Sequence, residues 1–180
     1  MRIKWMAALL ALLSVSAQAT EKLYGVIGAG YTDADFENAE ASSENLNLAL
    51  GHEFAPKWYF EAGYKRLFDE ETDQADMKAD ALYLAVLGKA GGRKGELFYK
   101  LGVMRADVSG FRTTETTCNG AAKQAGQCTF DEGVFAGMAG LGFDFHVGLN
   151  SMIRLEYEYI YGEDDLTANL FNVAYRYNFN

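Results

Sequence analysis

The chain has 180 residues, 49% hydrophobic and 23% charged, with 25 acidic residues against 16 lysines and arginines, two cysteines, one proline and a net charge of -9. That length allows one modest domain, and that composition excludes a disordered or low-complexity chain. The acid excess also removes the basic face that a nucleic-acid partner would need.

Residues 1–19 read MRIKWMAALLALLSVSAQA. Arg2 and Lys4 precede an apolar stretch from Met6 to Val15, and Ala17-Gln18-Ala19 forms a small-residue cleavage pattern. This predicts a secretory signal peptide removed after Ala19, leaving one domain over residues 20–180. The apolar run of about ten residues is too short for a membrane helix, which needs roughly 20. Cleavage removes Arg2 and Lys4 and no acid, so the mature chain carries 14 basic against 25 acidic residues, net -11. An exported chain carries Cys118 and Cys128 into an oxidising compartment, where a disulfide is the default. A zinc site would need further ligands nearby, and the sequence supplies none.

Beyond the signal the chain has no apolar run of 18 residues and alternates with period two instead. The first predicted strand, Leu23 to Tyr31, contains Gly25-Val26-Ile27-Gly28-Ala29-Gly30. A dinucleotide loop would need its third glycine at the G-x-G-x-x-G spacing, a strand before it and a helix after it. These glycines instead read as strand positions where curvature and inward aromatics leave no room for side chains. Next come Leu46, Leu48 and Leu50, then Trp58, Phe60, Ala62 and Tyr64 alternating with Glu61 and Lys65. A Gly/Ala-rich strand spans Ala79 to Leu87, and Leu97, Tyr99, Leu101 and Val103 alternate with Lys100. Another Gly/Ala-rich strand runs from Val134 to Phe145. In Ser151 to Tyr161, Ile153, Leu155, Tyr157, Tyr159 and Tyr161 oppose Arg154, Glu156 and Glu158. The last strand, Ala168 to Phe179, sets Phe171, Val173, Tyr175, Tyr177 and Phe179 against Asn172, Ala174, Arg176 and Asn178.

These eight strands fit an all-β, antiparallel, up-and-down transmembrane barrel better than a soluble sandwich. A membrane barrel takes an apolar outer wall and a polar interior, and Trp58, Tyr161, Tyr177 and Phe179 gather near strand ends as interfacial girdles do. In lipid every backbone group must be paired, so such a sheet closes on itself. Short connections (Ala55-Pro56-Lys57, Lys89 to Gly95, His146 to Asn150) alternate with longer ones (Thr32 to Ser43, Phe68 to Met77, Asp107 to Phe130, Gly162 to Thr167). The short ones are expected on the periplasmic side and the long ones outside the cell. The single proline falls in a turn, where no ladder bond is lost.

Four stretches carry a family resemblance: Trp58 to Tyr64 with its inward Glu61, Phe98 to Asp107, Val134-Phe135-Ala136-Gly137 with Arg154-Leu155-Glu156-Tyr157, and the ending Val173-Ala174-Tyr175-Arg176-Tyr177. In these the mature chain resembles the transmembrane domain of the OmpA family of Gram-negative outer-membrane proteins, as a stand-alone barrel similar to the small OmpX/Ail type. The family's periplasmic peptidoglycan-binding domain has no counterpart before the chain stops at Asn180, so cell-wall tethering is not implied. The family's terminal aromatic, read by the barrel-assembly machinery, is matched by Phe179 with a one-residue offset, which the machinery is expected to tolerate. The resemblance implies a bacterial outer-membrane location, with outer-membrane lipid and lipopolysaccharide as surroundings.

It also implies a salt-bridge network inside the lumen at Glu61 and Arg154, linked in the family to a narrow gated passage. The fourth-strand lysine of that network has no match, because Ala85 or Val86 falls there. Lys65, Lys100, Glu156, Glu158 and Arg176 extend the candidate network, and a polar plug of paired charges is the favoured reading over a gate. An interior of eight strands is just filled by side chains, which excludes a general diffusion porin.

Cys118 and Cys128 lie in the longest outer connection, where a disulfide would close a small ring and contribute about 2 to 3 kcal/mol. Acidic residues crowd the outer connections, among them Asp33, Asp35, Glu37, Asp69, Glu70 and Glu163. Solvation accounts for them; the stretch from Asp69 lacks the mid-loop glycine of a calcium-binding hand. The same acidity argues against a grip on heparin-like polyanions. No cofactor, metal or catalytic site is expected, since His52 and His146 both fall toward the short turns, away from the outer leaflet where lipid-modifying barrels work. The leading expectation is a structural barrel that supports envelope integrity and displays loops. The alternatives are an adhesin acting on an unidentified host surface ligand, and a narrow gated ion passage.

Overall fold

A computed structural model of the chain describes residues 22–36, 39–72, 75–113, 122–124, 127–163 and 166–179. The expected signal segment and Cys118 lie outside the described residues, so the Cys118–Cys128 disulfide does too. In chain order the strands are β1 (Leu23–Phe36), β2 (Ala39–Ala55), β3 (Trp58–Thr72), β4 (Ala75–Gly92) and β5 (Gly95–Thr113). After the short β6 (Ala122–Gln124) come β7 (Gln127–His146), β8 (Ser151–Gly162) and β9 (Thr167–Asn178). Each long strand pairs antiparallel with its neighbours, β1 with β9 and β5 with β7, so eight strands close a barrel and β6 lies beside β7 outside the ring.

Ladder partners followed once around the wall from Tyr24 pass through Gly51, Glu61, Ala85, Gly102, Met138, Ile160 and Ala168, and return to β1 at Ala34. The ring is therefore staggered by ten positions, from 24 to 34, which tilts the strands by about 40°. The side chains on this path face inward, and the residue before each along its own strand faces out.

The outward set is apolar. Leu82, Leu84 and Val103 are 68%, 65% and 64% exposed, values no soluble sandwich would leave along whole strands and ones that suit hydrocarbon outside the wall. Aromatic rings cluster on this wall at the short-turn end: Phe54 stacks on Phe60 at 4.3 Å, Trp58 meets Tyr99 edge-on at 5.8 Å, and Tyr177 meets Phe179 at 5.6 Å.

Two expectations are corrected. The long connections are shorter than the sequence pattern suggests, because β1–β2, β3–β4 and β5–β7 stay paired through Asp35↔Glu40, Glu71↔Asp76 and Phe111↔Thr129. There the outward positions turn polar, as at Asp33, Lys78 and Asp107, so the apolar outer stripe ends while the backbone pairing continues. β5, with 19 residues, climbs about 48 Å at this tilt, well beyond the roughly 25 Å apolar band of such barrels. Conversely, the connection placed at Lys89 to Gly95 contracts to a turn at Arg93-Lys94, because β4 continues to Gly92.

Candidate functional site: the charged interior

The lower interior, nearer the short turns, holds a continuous set of ion pairs. Glu61 on β3 is its first centre. Its carboxylate accepts hydrogen bonds from Arg154 Nη1 at 2.8 Å, Tyr24 Oη at 2.9 Å and Tyr83 Oη at 2.9 Å, and Lys100 Nζ lies 2.9 Å away. Lys100, from β5, is shared among three carboxylates, with Glu156 at 2.6 Å and Glu158 at 2.9 Å completing the set. Lys65 pairs with Glu158, and Asn172 Nδ2 donates to the same carboxylate at 3.4 Å.

Asp144 on β7 is the second centre. It accepts from Arg154 Nε at 2.8 Å, Arg154 Nη2 at 3.2 Å, Arg176 Nη1 at 2.7 Å and Lys89. Arg154 thus bridges both centres, its fork filled by two carboxylates as planar guanidinium geometry allows. The half-buried Glu96 adds a contact to Lys89 at 3.3 Å. Rings line the cations: the Arg176 guanidinium sits 3.9 Å over Tyr24 and that of Arg154 sits 4.5 Å over Phe98.

In this layer Lys65, Lys89, Lys100, Arg154 and Arg176 face an equal number of carboxylates, Glu61, Glu96, Asp144, Glu156 and Glu158. Neutrality is what a desolvated interior demands, since an unpaired buried charge costs several kcal/mol. Glu156 is the least well served. It touches the Lys100 ammonium, yet neither of its oxygens receives an aligned hydrogen bond.

Above this layer, toward the long connections, the described interior is mostly apolar, with one buried polar pair in which Asn45 Nδ2 donates to Thr32 Oγ1 at 2.9 Å. Further along the same strands, Leu67, Met104, Val108, Met138, Ile160 and Leu170 are buried against one another. The expectation of a polar interior therefore holds fully for the lower half and only at Thr32, Asn45 and Asn47 above it. A barrel this narrow leaves no room for a water column, so its upper half packs like a protein core.

Seven residues singled out from sequence (Glu61, Lys65, Lys100, Arg154, Glu156, Glu158 and Arg176) lie inside the barrel, and the contacts above join them. The absent fourth-strand lysine is explained. Ala85 does stand opposite Glu61, and Lys100 reaches across from β5 to supply the cation. Sequence reading missed Asp144, Lys89, Tyr24 and Tyr83. Asp144 is flanked by outward Phe143 and Phe145, a local alternation that points it inward. Both tyrosines face glycines across the ladder: a Cβ on Gly51 would sit 2.1 Å from the Tyr24 ring, and one on Gly63 would sit 2.5 Å from the Tyr83 ring. At Gly28 and Gly30 the space is taken by Ala174 and Asn172 of β9, not by inward aromatics. His52 is exposed on the outer wall and His146 half-buried, both at the short-turn end.

The family described as "Outer membrane protein beta-barrel domain" matches residues 6–179. Among solved structures the chain is similar to Neisserial surface protein A, with a TM-score of 0.66 and 12% identity over 87% of this chain and 97% of that one. It is also similar to the N-terminal β-barrel domain of Pseudomonas aeruginosa OprF, with a TM-score of 0.58, 10% identity, and 87% and 98% covered. A third likeness is to Ail, the attachment invasion locus protein of Yersinia pestis, with a TM-score of 0.54, 16% identity, and 87% and 99% covered. At these identities the likeness shows the fold. No curated protein matches the sequence.

Proposed function

The chain belongs to the outer membrane protein β-barrel domain family, and we propose that it serves the bacterial outer membrane as a closed structural barrel, supporting envelope integrity and holding a surface outside the cell. The observation that carries this reading is the filled interior, a neutral ionic layer beneath a mostly apolar one, which favours a rigid plug over an open lumen. Export through residues 1–19, insertion by the barrel-assembly machinery, and a setting of outer-membrane lipid and lipopolysaccharide belong to the same proposal. So does the orientation, with short turns in the periplasm and long connections outside.

An adhesin role is the second reading, favoured by the length of β4, β5 and β7, which carry their connections well clear of the apolar band. One of the similar structures is Ail in complex with the heparin analogue sucrose octasulfate. Outward Asp33, Glu44, Asp107 and Glu163 at the long-strand end oppose a polyanion of that kind here. Detergent resistance of a deletion strain separates the readings. A barrel with trimmed outer connections and intact strands should restore resistance as well as the full chain does. Failure of a correctly inserted trimmed barrel would move the function into the connections.

A further inference from the structure

We propose that the short-turn rim of the barrel is a binding surface for the phosphate headgroups of anionic phospholipids, with Lys57, Arg93 and Lys94 as its cations. All three side chains are exposed, and they stand on neighbouring hairpins. The Lys57 carbonyl accepts from Lys89 N–H of β4 at 2.9 Å, and the Lys94 carbonyl from His146 N–H of β7 at 3.3 Å. Among the described residues no aspartate or glutamate at this end is exposed. Glu53 accepts the Lys57 backbone N–H at 3.1 Å, and Glu96 turns inward to Lys89. The opposite end carries outward carboxylates, so the two ends of one barrel differ in sign.

The backbone at Lys57 offers a way to separate lipid binding from folding. Lys57 follows Pro56 in the β2–β3 turn at φ 69°, the left-handed position that glycine or asparagine ordinarily fills. A lysine held there is strained by roughly 1 kcal/mol or more.

Position identifies the partner as lipid rather than protein. The cations lie directly beyond the girdle of Phe54, Trp58 and Tyr99, where headgroups must be when the wall below is in hydrocarbon. On the adjoining β7–β8 turn Val147 and Leu149 are exposed, so the rim alternates basic and apolar groups as surfaces that lie in a bilayer interface do. That the leaflet is the periplasmic one rests on the orientation proposed above; the headgroup chemistry does not.

Trp58 reports on this rim. In protein purified from outer membranes after expression of the full chain carrying Trp5→Phe, Trp58 is the only tryptophan. The probe is quenching of its fluorescence by brominated phosphatidylglycerol against brominated phosphatidylcholine in reconstituted vesicles. The expected result is a preference of roughly fivefold for the anionic lipid, the effect of one basic residue beside an anionic surface, reduced by high salt. It should fall to near parity in Lys57→Gln/Arg93→Gln/Lys94→Gln. Lys57→Gly should weaken the preference while leaving the barrel equally or more resistant to urea, which separates lipid binding from folding. Equal quenching by both lipids in the unsubstituted rim would overturn the proposal and favour a protein partner. A preference that survives the triple substitution would overturn it as well. Vesicles are blind to orientation in the cell, so an inverted barrel would move the site to the other leaflet without removing it.

Discussion

Asp144 and Glu156 are both fully buried carboxylates in the same layer, yet they should respond very unequally to removal of charge. Asp144 accepts from three cationic side chains, so Asp144→Asn leaves Lys89, Arg154 and Arg176 crowded without their common anion. Breaking a buried pair in this way costs about 3–5 kcal/mol. Glu156 has one ionic contact and no aligned hydrogen bond, and its neighbour Glu158 draws on the same Lys100. In Glu156→Gln the lost attraction is offset by relief of that repulsion, and the change should stay below about 1 kcal/mol. The assay is reversible urea unfolding in lipid vesicles, followed by the shift in gel mobility between folded and unfolded barrel. An outside reference is Asp80→Asn on the outer wall, whose partner Arg66 lies 3.4 Å away with both side chains over 40% exposed; it should cost under about 1 kcal/mol. Equal losses for Asp144→Asn and Glu156→Gln would show that burial alone, not hydrogen-bonded pairing, sets the energetics of this layer.

Gly51→Ala should destabilise by about 1–3 kcal/mol, because its Cβ displaces the Tyr24 ring and with it the hydroxyl that serves Glu61; pairing it with Tyr24→Leu should recover part of the loss in the same urea assay. Ile160→Ala, in the apolar layer, should cost about 2–5 kcal/mol by opening a cavity. Reduction of the expected Cys118–Cys128 pair should change proteolysis of the β5–β7 connection and leave the barrel folded; unfolding on reduction would contradict that placement. Immobilised heparin should not retain the barrel at physiological salt, and retention would show that the outward carboxylates do not dominate the long-strand end.

Legibility followed side-chain contrast. Arg154, Glu156 and Glu158 alternate with tyrosines, so one strand displays both faces, and the same holds for Arg176 among Tyr175 and Tyr177. β7 hides Asp144 because its inward neighbours Gly140 and Gly142 carry no side chains, Gly142 being kept bare by the Phe98 ring. Lys89 was masked by Gly91-Gly92, which read as a turn although the strand runs through them. Tyr24 and Tyr83 look like girdle residues in isolation; only the glycines opposite them, which depend on register, mark them as inward. The apolar upper layer escaped for a related reason: small alanines fill many of its positions, so an inward apolar residue does not stand out against an outward one. Strand extension past the apolar band is hard to read because the outward positions there, such as Asp33, Lys78 and Asp107, are polar like those of a loop.

The central claim is that the interior is closed twice, by an ionic layer and by an apolar one above it. Single-channel recording in planar bilayers tests it most directly, with the unaltered barrel beside Glu61→Ala, which frees Lys100 and Arg154 from their shared carboxylate. The account predicts silence from both, since Leu67, Met138, Ile160 and Leu170 still close the upper half when the charges are disturbed. Discrete conductance steps in the unaltered barrel, or steps that appear in Glu61→Ala alone, would show that the ionic layer is the only barrier and that the lumen is a gated passage.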